Sequence, residues 1–110
     1  MAKEKIEQLT TSYEDRLLES LKDPLEAQAY LEAALEEYEQ TGETDPLLLA
    51  LKDVAKAQGG IGALSQRAGL NREHLYRVFS SKSQPRLSKL LAIVSGLGFR
   101  IRLEPQKSLV

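Results

Sequence analysis

One stretch of the sequence, residues 61–79, constrains the fold more than any other. Two short segments with apolar residues at helical spacing flank Gly69, and their apolar side chains would bury against each other if two helices crossed steeply. Gly69 follows the last periodic residue of the first segment, where a residue of positive φ commonly ends a helix. The stretch therefore predicts a helix-turn-helix. The side chains expected at the crossing are Leu64, Ala68, Leu70, Leu75 and Val78.

The second helix of this motif has an apolar and a polar face. Asn71 lies where the helix needs an N-terminal cap, while Val78 and Phe79 belong to the inward face. Guanidinium and hydroxyl groups on the outward face suit base edges and phosphates in a major groove of DNA. A helical hairpin with a merely solvated polar face would give the same pattern. The outward side chains are Arg72, Glu73, Tyr76 and Arg77.

The formal net charge of −1 hides a strong asymmetry. Residues 1–58 contain 6 Lys and Arg against 14 Asp and Glu, whereas residues 59–110 contain 9 against 2. A net charge of −8 in one half and +7 in the other indicates two surfaces with different partners, unless acidic residues simply suit the first helices. The helix-turn-helix lies in the basic half, as DNA binding requires.

Local signals predict an all-α helix-turn-helix bundle of about five helices over residues 23–104. Asp23-Pro24 starts a helix that ends near Gln40, and Asp45-Pro46 repeats that start signal. A further helix is expected over residues 87–95.

Two flanking segments complete the expected organisation. Residues 1–22 form an N-terminal arm, and residues 105–110 form a tail. The arm should be partly helical because Tyr13, Leu17 and Leu21 have helical spacing. A helix this short must dock on the domain, a second copy or a partner, or fold only on binding.

The polar loop of residues 80–84 follows the second helix of the motif. It is suited to contacts with DNA phosphates, which fix the position of a protein on the duplex but do not distinguish bases. A serine-rich loop is more often a connection without a binding role. The basic residues around this loop nevertheless favour phosphate contact. The expected contacts are Ser81, Lys82, Arg86 and Lys89.

Residues 99–103 alternate apolar with basic side chains before Pro105, which predicts a short C-terminal β-strand. A lone strand needs an external partner, either the same strand of a second copy or the sheet of another protein. Phe99, Ile101 and Leu103 are the expected contacts of this strand. A DNA site that consists of two half-sites needs two helix-turn-helix units, so a homodimer is also expected for this reason.

The chain lacks the residue sets of common catalytic and metal sites. His74 is the only histidine, there is no cysteine, and no carboxylates cluster at ligand spacing. We therefore expect no metal, no cofactor and no enzymatic activity. Because no apolar run approaches the ~20 residues of a membrane span, the protein is expected to be soluble and cytoplasmic.

Several motifs together resemble a known family. They are residues 30–37, Asp45-Pro46, residues 53–59, residues 68–77 and Pro85 ahead of Leu90-Leu91. In this combination residues 23–104 resemble the addiction-module antidote proteins, antitoxins with an Xre/Cro-type helix-turn-helix that accompany small RelE/ParE-like toxins. Ser65 departs from the pattern, because alanine is usual there.

The resemblance implies a dimeric autorepressor that binds its own operator and sequesters a small basic toxin protein. By position, Asn71, Arg72, Glu73, Tyr76 and Arg77 would face the operator. An acidic half that covers a basic toxin and a basic half that holds DNA would explain the charge asymmetry. Two alternatives remain open: a solitary repressor without a toxin, and an interaction adaptor whose helix-turn-helix is only structural.

Overall fold

The computed structural model describes residues 12–80 and 84–107, and over them it contains six helices and no strand. The all-α class is confirmed. None of the helices in these ranges is long and apolar enough to cross a membrane. The helices are α1, described over residues 12–20, α2 Pro24–Thr41, α3 Asp45–Ala57, α4 Ile61–Ala68, α5 Arg72–Phe79 and α6 Leu87–Gly96.

The ends of α2 follow directly from local sequence. Asp23 Oδ1 accepts a hydrogen bond of 2.9 Å from Leu25 N, and Pro24 occupies the first helical position, where no backbone donor is needed. The helix ends at Gly42, whose φ of 72° is left-handed and whose N–H donates to Tyr38 O at 2.7 Å. The predicted start at Asp23-Pro24 is confirmed, and the helix ends at Thr41, one residue beyond the predicted Gln40.

The start of α3 differs from the Asp-Pro pattern by one residue. Asp45 is itself helical, and the preceding Thr44 is the N-cap, although its side chain makes no capping bond. Instead Thr44 Oγ1 accepts a hydrogen bond of 3.3 Å from Gln84 Nε2, in the segment just before α6. The start of α3 is thereby tied to the far end of the helix-turn-helix.

The core lies around α3, which buries side chains on most of its circumference. Leu64 of α4, Leu75 of α5 and Ile93 of α6 are fully buried in this core. The arm joins the same core: Leu21 is 2% exposed, and the Glu14 carboxylate lies 3.6 Å from Lys56 Nζ of α3. The buried residues of α3 are Leu47, Leu48, Ala50, Leu51, Val54 and Ala55.

The predicted C-terminal β-strand is wrong. After α6 the chain turns, with Gly98 N donating to Ser95 O and Phe99 N donating to Val94 O at 3.1 Å, and residues 99–106 have no regular secondary structure. Phe99 packs partly against the core, whereas Ile101 is 52% and Leu103 95% exposed. A strand needs a neighbour to complete its backbone hydrogen bonds, and no other strand exists in the described ranges to supply them.

Candidate nucleic-acid interface

The turn between α4 and α5 has the predicted geometry. Gly69 ends α4 at φ 67° and ψ 31°, and its N–H donates to Ser65 O. Leu70 N donates to the same carbonyl at 3.2 Å, and the Ser65 hydroxyl donates in return to Leu70 O. Ser65 therefore holds both sides of the corner. In the sequence alone, this serine stands out only as a departure from the usual alanine.

Asn71 fixes where α5 begins. Its Oδ1 accepts hydrogen bonds from Glu73 N at 2.8 Å and from His74 N at 3.3 Å, so the side-chain oxygen caps the helix as predicted. Leu75, Val78 and Phe79 are buried on the inner side. With its cap and its inner face both held, α5 presents one defined face to solvent.

The solvent face of α5 carries the residues that were expected to read DNA. Glu73, Tyr76 and Arg77 lie on the side away from the core, and Tyr76 is 53% exposed. Arg72 and His74 lie on the two opposite edges of this face. The Arg72 guanidinium lies over Gly62 of α4, where a Cβ would be 3.9 Å from Arg72 Cζ.

His74 faces the other way, into an open groove between α5 and α6. We call this the α5–α6 groove. No carboxylate lines it in the described part of the chain. Of the expected phosphate contacts, Arg86 and Lys89 line it, whereas Ser81 and Lys82 lie outside the described residues. Its lining is His74, Arg77, Val78, Gln84, Pro85, Arg86 and Lys89.

The cations around α5 have no ionic partners within the described residues. The two ion pairs there, Lys22–Glu19 at 2.8 Å and Lys56–Glu14 at 3.6 Å, both lie in the acidic half. Arg72, Arg77, Arg86 and Lys89 make none. The positive charge at this end of the molecule is therefore available to an external anion.

Comparison with known proteins places the chain in a defined group. A family model described as a probable addiction module antidote protein matches residues 13–105. The match covers most of the chain and includes nearly all of α1 as well as α4, α5 and the turn between them. No curated protein and no solved structure gives a significant match.

Proposed function

The chain belongs to the probable addiction module antidote protein family, and from this premise we propose that it is an operator-binding antitoxin. An antidote of an addiction module has a toxin as its counterpart. We further propose that the protein represses transcription from its own operator as a homodimer and acts by binding, without a catalytic step.

One observation carries the DNA-binding part of the proposal: α5 combines an exposed polar face with cations at both of its edges that form no ion pair with a described residue. Arg72 lies at the α4 edge, and Arg77 lies beside the α5–α6 groove. A helix that enters the major groove needs side chains that reach base edges and flanking cations that reach phosphates. The geometry of α5 supplies both kinds of group.

The acidic half supports a basic toxin as the partner. Helix α2 contains five glutamates and neither lysine nor arginine, and all five carboxylates are exposed. Opposite charge would speed the encounter with a basic protein and would disfavour acidic ones. A RelE/ParE-like toxin, which the family resemblance implies, fits this requirement.

A homodimer fits the proposed binding to an operator. One copy presents a single reading helix, and two readers are needed for half-sites that lie ~34 Å apart on one side of the duplex. The described part of the tail contains no strand that would pair two copies.

Electrophoretic mobility shift of the purified protein on the DNA upstream of its own coding region tests the repressor. Sequence-selective binding that weakens steeply from low to physiological salt is expected, because phosphate contacts release counterions. A scrambled duplex of the same length is the control. Equal affinity for both duplexes would reject operator recognition and favour the adaptor interpretation.

Co-expression with the product of the neighbouring small open reading frame tests the antitoxin role separately. Growth arrest by that product alone and rescue by this protein are expected. If that product does not arrest growth and the protein still binds its operator selectively, the protein is a solitary repressor without a toxin.

A further inference from the structure

We propose that the α5–α6 groove holds one backbone phosphate of the bound DNA and that His74 binds this phosphate in its protonated form. Operator affinity would then depend on pH through a single residue. The inference rests on the proposed function and adds to it a defined phosphate site and a control by protons.

The side chains that line the groove have the charge that a phosphodiester requires. Arg77 approaches it from α5, and Arg86 and Lys89 approach it from the start of α6, while Val78 and Pro85 form its apolar part. Among the described residues, these three cations are the charged groups that line the groove together with His74, and none of them forms an ion pair there. The groove is therefore a positive concavity into which an anion can enter.

His74 is placed to contact the phosphate without reading bases. It lies half-buried at the edge of the exposed face of α5, one turn before Val78. Its backbone N–H is bonded to Asn71 Oδ1, so the helix start holds the residue in place. Its imidazole lines the same groove as the three cations.

The coupling to pH follows from charge. A phosphate in the groove would favour a positive charge on the His74 imidazole. DNA binding should therefore take up a proton in the range where histidine side chains ordinarily titrate, between pH 5 and 8. The affinity should rise as pH falls, by at most about tenfold per pH unit for one proton.

Operator affinity measured from pH 8 to pH 6 at constant ionic strength, in phosphate-free buffer, tests the proposal. The wild-type protein should bind several-fold more tightly at pH 6, and His74→Gln should show a flat profile. Gln66→Ala is the control, because Gln66 is an exposed residue of α4 outside the groove. A flat wild-type profile, or a slope that persists in His74→Gln, would overturn the proposal.

Proton uptake can also be observed in the wild-type protein without a variant. Because His74 is the only histidine, the imidazole NMR signals report its titration directly. Operator DNA should move the midpoint of this titration to higher pH, and an unchanged midpoint would contradict the inference. Selective operator binding with no pH dependence would reject this inference alone, whereas absence of selective binding at every pH would reject the proposed function as well.

Discussion

The hydroxyl of Tyr30 donates a hydrogen bond of 2.7 Å to Asp53 Oδ2 and so joins α2 to α3. Burial of the phenol raises the pKa of Tyr30 well above its usual range, and the bond to Asp53, the charge of Asp53 and the neighbouring Tyr13 act in the same direction. The arm, α2 and α3 thus meet around one phenol.

This bond makes folding stability sensitive to alkaline pH. The folded state keeps the Tyr30 proton at a pH where the unfolded chain, with an ordinary tyrosine pKa of about 10, loses it. The stabilisation is therefore fully present below about pH 10 and declines as pH rises above it. In urea unfolding, Tyr30→Phe should cost about 1 kcal/mol at neutral pH and should remove part of the alkaline decline.

Tyr38→Phe is the matched control, since the Tyr38 hydroxyl makes no hydrogen bond with a described residue. Equal alkaline slopes for wild type and Tyr30→Phe would contradict the role of the Tyr30 proton.

Close packing of α6 on α4 depends on Gly96. A Cβ there would lie 2.8 Å from Leu64 Cδ1 and 2.9 Å from Ala68 Cβ, so Gly96→Ala should destabilise the fold by about 1–3 kcal/mol. Gly62→Ala is a matched control, because its Cβ would meet nothing closer than Arg72 Cζ at 3.9 Å. Thermal unfolding should show a lower midpoint for Gly96→Ala only. A similar midpoint for both variants would show that the helices can separate at little cost.

Loss of the Asn71 cap should weaken α5. Asn71→Ala removes the acceptor of two backbone N–H groups and is expected to cost about 1 kcal/mol of stability, whereas Asn71→Ser keeps a capping oxygen and should recover most of it. Urea unfolding of the three proteins measures this. Equal losses for alanine and serine would mean that the side chain acts through something other than the cap.

Arg77 should contribute to operator binding more than a basic residue in the acidic half. Arg77→Ala is expected to weaken operator binding by about 1–3 kcal/mol if the guanidinium contacts a base, or to weaken all duplexes alike and flatten the salt dependence if it contacts phosphate. Lys22→Ala is the control, because Lys22 is exposed and paired with Glu19. Filter binding on operator and scrambled duplexes separates the two cases. Unchanged affinity of Arg77→Ala for both duplexes would show that Arg77 does not contact the DNA.

The helices and the corner of the motif could be predicted from sequence because their causes are local. Asp23 caps its own helix, Asn71 caps α5, and Gly69 reaches a left-handed conformation that other residues avoid. The exposed face of α5 could also be assigned, since helical periodicity alone separates Tyr76 and Arg77 from Leu75.

Tertiary structure decided the features that depend on a distant neighbour. The alternation of apolar and basic side chains around Ile101 and Leu103 is typical of a half-buried strand. However, no described element supplies the backbone hydrogen-bond partner that a strand requires. Periodicity in the arm does not predict what Leu21 packs against, and no sequence spacing predicts that His74 and Lys89 line the same groove. Caps and periodicity act within one helical turn, whereas burial, strand pairing and convergence of charge depend on residues far apart in the chain.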